Sequence, residues 1–137
     1  MRLVLDTNIL IAAFISRGTC AELLEYCILR HELVISKFIL EEFRRNLTSK
    51  FGIPQPDVSA ALKLLTSRMK IVKPLDLGES VCKDPQDDPI LGTALAGRCQ
   101  CLITGDQDLL ALHRFKDIDI IQPHAFWRYE AQSGHEV

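Results

Sequence analysis

Short apolar runs of two to four residues punctuate this chain, and segments of helical period separate them. Leu3-Val4-Leu5 is the first run and reads as a buried strand ending at Asp6. Ile9 to Ile15 is apolar on every side and predicts a buried helix. Gly18-Thr19 opens a second helix, with Leu23, Leu24, Cys27 and Ile28 as its inner stripe. Leu33-Val34-Ile35 is the next strand, and Ser36 can cap a helix whose Ile39, Leu40, Phe43 and Leu47 share one face. Gly52, Pro54 and Pro56 break that helix. Asp57 starts another, carrying Val58, Ala61, Leu62, Leu65 and Met69 inward. Ile71-Val72 is a third strand closed by Pro74, and Asp76 to Pro89 reads as a polar loop with one short helical turn. A helix over Ile90–Ala96 ends at Gly97, followed by a strand at Cys101–Thr104. A short helix through Leu109, Leu110 and Leu112 leads to a fifth strand at Ile118–Ile121. Pro123 opens a last helix with Phe126 and Trp127. Apolar strands alternating with helices predict an α/β sandwich on a mainly parallel sheet of about five strands.

Size and composition narrow the function classes. The chain has 137 residues, 47% of them hydrophobic and 25% charged, which predicts a single domain over 1–137 with a substantial core. No window approaches the length of apolar chain a membrane span needs, and the carboxylate at position 6 interrupts any signal-peptide core. The five cysteines are odd in number and form no CxxC pair, so neither a disulfide scaffold nor structural zinc is expected. These features predict a soluble, cytoplasmic protein. The net charge of −2 excludes a highly basic nucleic-acid coat, but the charge is unevenly spread. From Lys37 to Lys73 there are eight basic residues against three acidic ones, whereas Asp76 to Asp88 holds five acidic residues and only Lys83. An acidic cluster beside a basic stretch suits a metal-dependent enzyme acting on a polyanion. Solvated helix faces are the plainer explanation of the basic residues taken alone.

Four acidic positions lie near a strand end or a helix start. Asp6 follows the first strand, Glu42 lies in the helix after the second, Asp88 opens the helix before the fourth, and Asp106 follows the fourth. Ligands of open α/β sheets bind outside the carboxyl ends of the strands, where Asp6, Asp106 and Glu42 belong and which Asp88 can join. Each also has an ordinary structural role available. Asp6 and Asp106 can cap the helices that follow them, Asp88 before Pro89 has the form of an N-cap, and Glu42 can be a solvated helix residue. Taken together, converging carboxylates repel one another unless a cation neutralises them. Oxygen donors alone suit Mg2+ or Mn2+ rather than zinc or copper. His31, His113, His124 and His135 have no ligand spacing to the carboxylates and read as surface or packing residues.

Four segments in order carry a family resemblance: Leu5-Asp6-Thr7-Asn8, Glu41-Glu42 after Ser36, Asp87-Asp88-Pro89-Ile90-Leu91 with Ala94, and Thr104-Gly105-Asp106-Gln107-Asp108-Leu109-Leu110. This set resembles the motifs of PIN-domain ribonucleases, and within them the bacterial toxin components of toxin–antitoxin systems that include the VapC-type toxins. The resemblance runs from about residue 2 to 125. It implies a three-layer α/β/α sandwich and Mg2+- or Mn2+-dependent cleavage of single-stranded RNA. It further implies that Asp6 and Asp88 are the principal metal ligands, that Asp106 completes the acidic site, and that Glu42 holds metal-bound water or binds metal directly. Asn8 and Thr104 match polar positions that orient the carboxylates, and Asp108 matches a further acidic position. Glu41 and Asp87, each adjacent to a chosen residue, remain alternatives. Glu42 is preferred because it precedes Phe43, and Asp88 because it lies three residues before Leu91.

The expected activity is that of a metal-dependent endoribonuclease, with Arg44, Arg45 and Lys50 on the RNA backbone. A PIN-like module that binds RNA or protein without cutting is the alternative, disfavoured by the intact acidic set. A phosphoacceptor receiver domain requires an acidic pair after its first strand and a lysine after its last. This chain has a lone Asp6 and Gln122-Pro123 at those places. A homodimer and a cognate antitoxin are expected partners. The sequence hints at the dimer through apolar residues beyond the core stripe, Leu23 on Ala21–Ile28 and Leu64 on Val58–Met69.

Overall fold

Asp6 is both the end of a strand and the beginning of a helix, and that arrangement sets the pattern of the fold. In a computed structural model describing residues 1–134, the chain runs β1 (Arg2–Leu5), α1 (Thr7–Ile15), α2 (Thr19–Arg30), β2 (Glu32–Ser36), α3 (Lys37–Ser49), α4 (Gln55–Arg68) and β3 (Lys70–Val72). It continues through α5 (Asp88–Ala96), β4 (Cys101–Ile103), α6 (Gln107–Leu110), β5 (Arg114–Phe115), β6 (Ile118–Ile121) and α7 (Phe126–Gly134). Single 3-10 turns at Pro85–Asp87 and Pro123–Ala125 lead into α5 and α7. His135 lies outside the described residues.

The sheet has six strands in the order β3-β2-β1-β4-β6-β5. All neighbours pair in parallel except β5, which runs antiparallel to β6 with Phe115 opposite Ile118. The sequence reading predicts five strands and misses β5. Its tight hairpin depends on Lys116 adopting a left-handed backbone (φ 53°), where a glycine would have signalled the turn. In β1, β2 and β4 consecutive residues are buried, and successive strand side chains point to opposite faces. Both faces are therefore covered, as a parallel sheet with flanking helices requires.

Local chemistry explains where elements begin. The Ser36 hydroxyl accepts from the Ile39 N–H and caps α3, and Ile39, Phe43 and Leu47 go into the core. Pro54 precedes α4, which starts at Gln55, two residues before the predicted Asp57. The helix predicted from Ile90 begins at Asp88. Leu23 is fully buried, so it belongs to the core stripe of α2 as the helical spacing predicts, and its second reading as surplus apolar surface is corrected. Leu64 is 41% exposed, and Leu29 of α2, not singled out from the sequence, is 78% exposed. All five cysteines are free thiols, and four of them are buried. No helix among the described residues is long and apolar enough to cross a membrane.

The strand order reverses direction at β1. From it the chain moves to β2 and β3 on one side, while β4, β6 and β5 lie on the other. The crevice between the carboxyl ends of β1 and β4 is thus the topological switch point of the sheet.

Candidate functional site

Asp6 and Asp106 flank that crevice, and Thr104 ties them together. The Thr104 hydroxyl, fully buried after β4, donates to Asp6 Oδ2 at 2.7 Å and accepts from the Asp106 N–H at 3.0 Å. Asp6 Oδ1 accepts from the Thr7 N–H at 2.7 Å, so Asp6 caps α1 while one of its oxygens is held by Thr104. Its side chain is only 7% exposed. Burial raises its pKa above the usual carboxylate range, and the nearby Glu42 and Asp106 carboxylates add to the effect. The hydrogen bonds from Thr104 and Thr7 work in the opposite direction. Asp106 caps α6 by accepting from the Asp108 N–H at 2.8 Å. Capping is therefore a real role of both residues, performed at the same time as they face the crevice.

Glu42 joins from α3. The Thr7 hydroxyl donates to Glu42 Oε1 at 2.7 Å, linking the first turn of α1 to α3, and the Phe14 and Phe43 rings pack edge to face at 5.3 Å between the same two helices. Its neighbour Glu41 is exposed and paired with Arg44 one turn on, so the structure brings Glu42 and not Glu41 to the site.

The other adjacent pair, Asp87 and Asp88, is split in its surroundings. Asp87 lies near enough to Asp106, and more distantly to Asp6, for their carboxylates to raise its pKa. Burial first, then the Asp106 carboxylate, pushes Asp87 up to about 7. Asp88 turns the other way. Its Oδ1 accepts from the Cys82 N–H at 2.8 Å and its Oδ2 from the Val81 N–H at 3.4 Å, and the Cys82 contact above all holds its carboxyl below the usual range. Of the two, Asp87, left open as the alternative, is the one placed toward the crevice.

Thr7 is the residue that sequence reasoning missed, since Asn8, the expected orienting group, is exposed and makes no side-chain hydrogen bond to the carboxylates. The Thr104 hydroxyl bonds to Asp6 and to the Asp106 amide, whereas the Asp108 side chain is exposed. Of the basic candidates, Arg45 on α3 and Lys50 just past its end are exposed, and Arg44 is occupied by Glu41.

Among the described residues, no three Asp, Glu, His or Cys side chains are drawn into a ready-made metal-binding group. The donor chemistry nevertheless fits a hard divalent cation. The acidic groups of the site offer carboxylate oxygens, and Asp87 and Asp106 repel each other when both are ionised, a repulsion that a cation would neutralise.

A family model described as the PIN domain matches residues 2–108. A comparison with curated protein sequences found no match. Among solved structures, the chain is similar to VapBC2 from Rickettsia felis bound to a DNA fragment from its promoter, with 18% identity, a TM-score of 0.66, and coverage of 89% of this chain and 98% of that one. It is similar to VapBC-1 from nontypeable Haemophilus influenzae at 23% identity and TM-score 0.60, covering 90% and 99%. A third similar structure is VapC20 of Mycobacterium tuberculosis, described as a sarcin-ricin loop cleaving toxin, at 13% identity and TM-score 0.56, covering 85% and 98%. At these identities the likeness is one of fold.

Proposed function

This chain belongs to the PIN-domain family, and from that premise we propose that it is a metal-dependent endoribonuclease that cuts single-stranded RNA as the toxin of a type II toxin–antitoxin pair. What supports this reading is the placement of Asp6 and Asp106 at the switch-point crevice, tied together by Thr104, with Glu42 held to Thr7 and with Asp87 raised by the Asp106 and Asp6 carboxylates near it. Asp6, Asp87 and Asp106 would hold Mg2+ or Mn2+. Such a cation, when bound, lowers the pKa of a water molecule and neutralises charge building on the scissile phosphate.

The protein's own groups have distinct tasks in this scheme. Thr104 fixes Asp6 and the Asp106 backbone together, so the two carboxylates keep their spacing. Glu42 is fastened through Oε1, which leaves Oε2 to accept a proton from the attacking water. Arg45 and Lys50 attract the RNA backbone, a contact that positions the strand without reading its sequence.

Partners follow from the same reading. With a likeness to VapBC2 and VapBC-1 beside it, the toxin reading calls for an antitoxin, and one that places a basic side chain in the acidic crevice would inhibit this protein. A homodimer would draw on exposed apolar residues such as Leu29 of α2 and Leu64 of α4, and the toxin role places its action in the cytoplasm.

The test is cleavage of unstructured and structured RNAs with Mg2+ or Mn2+ and with EDTA. Asp6→Asn and Asp87→Asn should each reduce cleavage at least a hundredfold while both variants remain folded. Cleavage that persists in EDTA, or within a few-fold in either variant, would remove the metal-dependent reading.

A further inference from the structure

We propose that Asp88 is a positioning residue: its carboxylate fastens the 81–82 backbone to the first turn of α5 and thereby aims the adjacent Asp87 at Asp6 and Asp106. This inference rests on the nuclease reading above, because it concerns how one carboxylate of that site is held.

The geometry is that of a closed loop. Asp88 accepts from two consecutive backbone N–H groups, those of Val81 and Cys82, seven and six residues earlier in the chain. Inside the ring so formed, Asp84 Oδ1 accepts from the Gln86 N–H at 3.0 Å, and the Asp84 carbonyl accepts from the Asp87 N–H at 3.0 Å. Cys82 is 6% exposed, so the far side of the ring is anchored in the core. The stem of the loop is attached to the same helix, because the Leu75 N–H donates to the Gly92 carbonyl at 3.0 Å. A Cβ at Gly92 would run into the Leu75 carbonyl oxygen, so the close passage of the stem over α5 depends on that glycine.

Adjacent residues on a helix project about 100° apart, so fixing one side chain fixes the direction of the next. Asp87 needs such fixing. It lies beside the Asp106 carboxylate, and when it is ionised with no cation bound, like charges favour its turning out of the crevice. Two N–H bonds to Asp88 oppose that outward swing. One carboxylate of the pair thus serves the reaction and the other serves its neighbour.

Four proteins separate this role from that of a metal ligand: wild type, Asp87→Asn, Asp88→Ala and Asp88→Asn. Mn2+ affinity is read by electron paramagnetic resonance, and protection of the Val81 and Cys82 amides by hydrogen exchange. Asp87→Asn should lose most of its Mn2+ binding and keep both amides protected. Asp88→Ala should lose amide protection and weaken Mn2+ on the order of tenfold, the effect of removing an outer partner of a metal site. Asp88→Asn keeps an acceptor oxygen without the charge, so it should restore much of the protection and bind Mn2+ better than Asp88→Ala. If Asp88→Ala fails to fold, the comparison of Asp88→Asn with Asp87→Asn carries the test. Equal loss of Mn2+ binding in Asp88→Asn and Asp87→Asn, with the amides still protected, would make Asp88 a ligand and overturn the proposal. If wild type binds no Mn2+, the metal-nuclease reading falls, and amide protection still decides the clamp: lost in Asp88→Ala it stands, unchanged it does not.

Discussion

Thr104 is the residue on which the most contacts of the acidic crevice depend. Its single hydroxyl donates to Asp6 and accepts from the Asp106 amide, so an isosteric Thr104→Val leaves a buried carboxylate and a backbone N–H short of a partner at once. We expect a loss of about 1–3 kcal/mol in urea unfolding, with cleavage reduced as well. Unchanged stability would mean that water replaces the hydroxyl. Asp87 provides a pH-dependent counterpart. Its pKa is raised from an ordinary 3.8 to about 7, so the folded protein binds a proton there that the unfolded chain releases. Stability from this group is full below about pH 4 and is lost as pH rises through 7. Cation-free Asp87→Asn should therefore melt near wild type at pH 4.5 and above it at pH 7.5, with saturating Mg2+ closing the gap. Wild type matching or exceeding the variant at pH 7.5 would contradict the raised pKa. Residue by residue, the site was unevenly legible in the sequence. Glu42 could be separated from Glu41 because Ile39, Phe43 and Leu47 define the buried stripe of α3. Glu42 lies about 60° from Ile39 around the helix and Glu41 about 160°. No such stripe orients Asp87 against Asp88, since both stand at the junction of a 3-10 turn and α5. Packing of the 76–87 segment decides between them, and that is a tertiary fact.

Among the elements, α5 shows how a correct reading can rest on the wrong cause. Gly97 ends this helix as its sequence suggests, yet its backbone is ordinary right-handed (φ −83°), and the left-handed position falls to Arg98 (φ 52°). The glycine is needed for close approach: a Cβ there would stand 2.6 Å from Val34 Cγ1, in a strand whose Val34 is 1% exposed. Gly97→Ala should cost about 1–3 kcal/mol by overpacking α5 against β2, with RNA cleavage at permissive temperature retained. A neutral or stabilising result would show that Val34 can shift. The apolar runs of β1, β2 and β4 were legible because a strand buried on both faces has no alternation to disguise it. The two-residue β5 was not, because Arg114-Phe115 has neither a run nor a period, and its turn uses Lys116 where a glycine would be expected.

At the scale of the molecule, Leu29 and Leu64 leave apolar surface on α2 and α4 after the core is filled. Light scattering over a concentration series should give a two-fold dimer, and Leu29→Glu should shift the mass toward monomer. A constant monomer mass at high micromolar concentration would remove the homodimer. The sheet order carries a last consequence, for synthesis. β1 leaves the ribosome first but is the strand bordered by β2 and β4, and its β4 partners are Cys101 to Ile103. The hydroxyl that fixes Asp6 arrives 98 residues after it. A nascent chain therefore exposes Asp6, Glu42 and Asp87 long before they can face Asp106, and folding waits on this distant pairing. Any translation product that stops before β4 contains most of the acidic residues yet has no crevice to hold them.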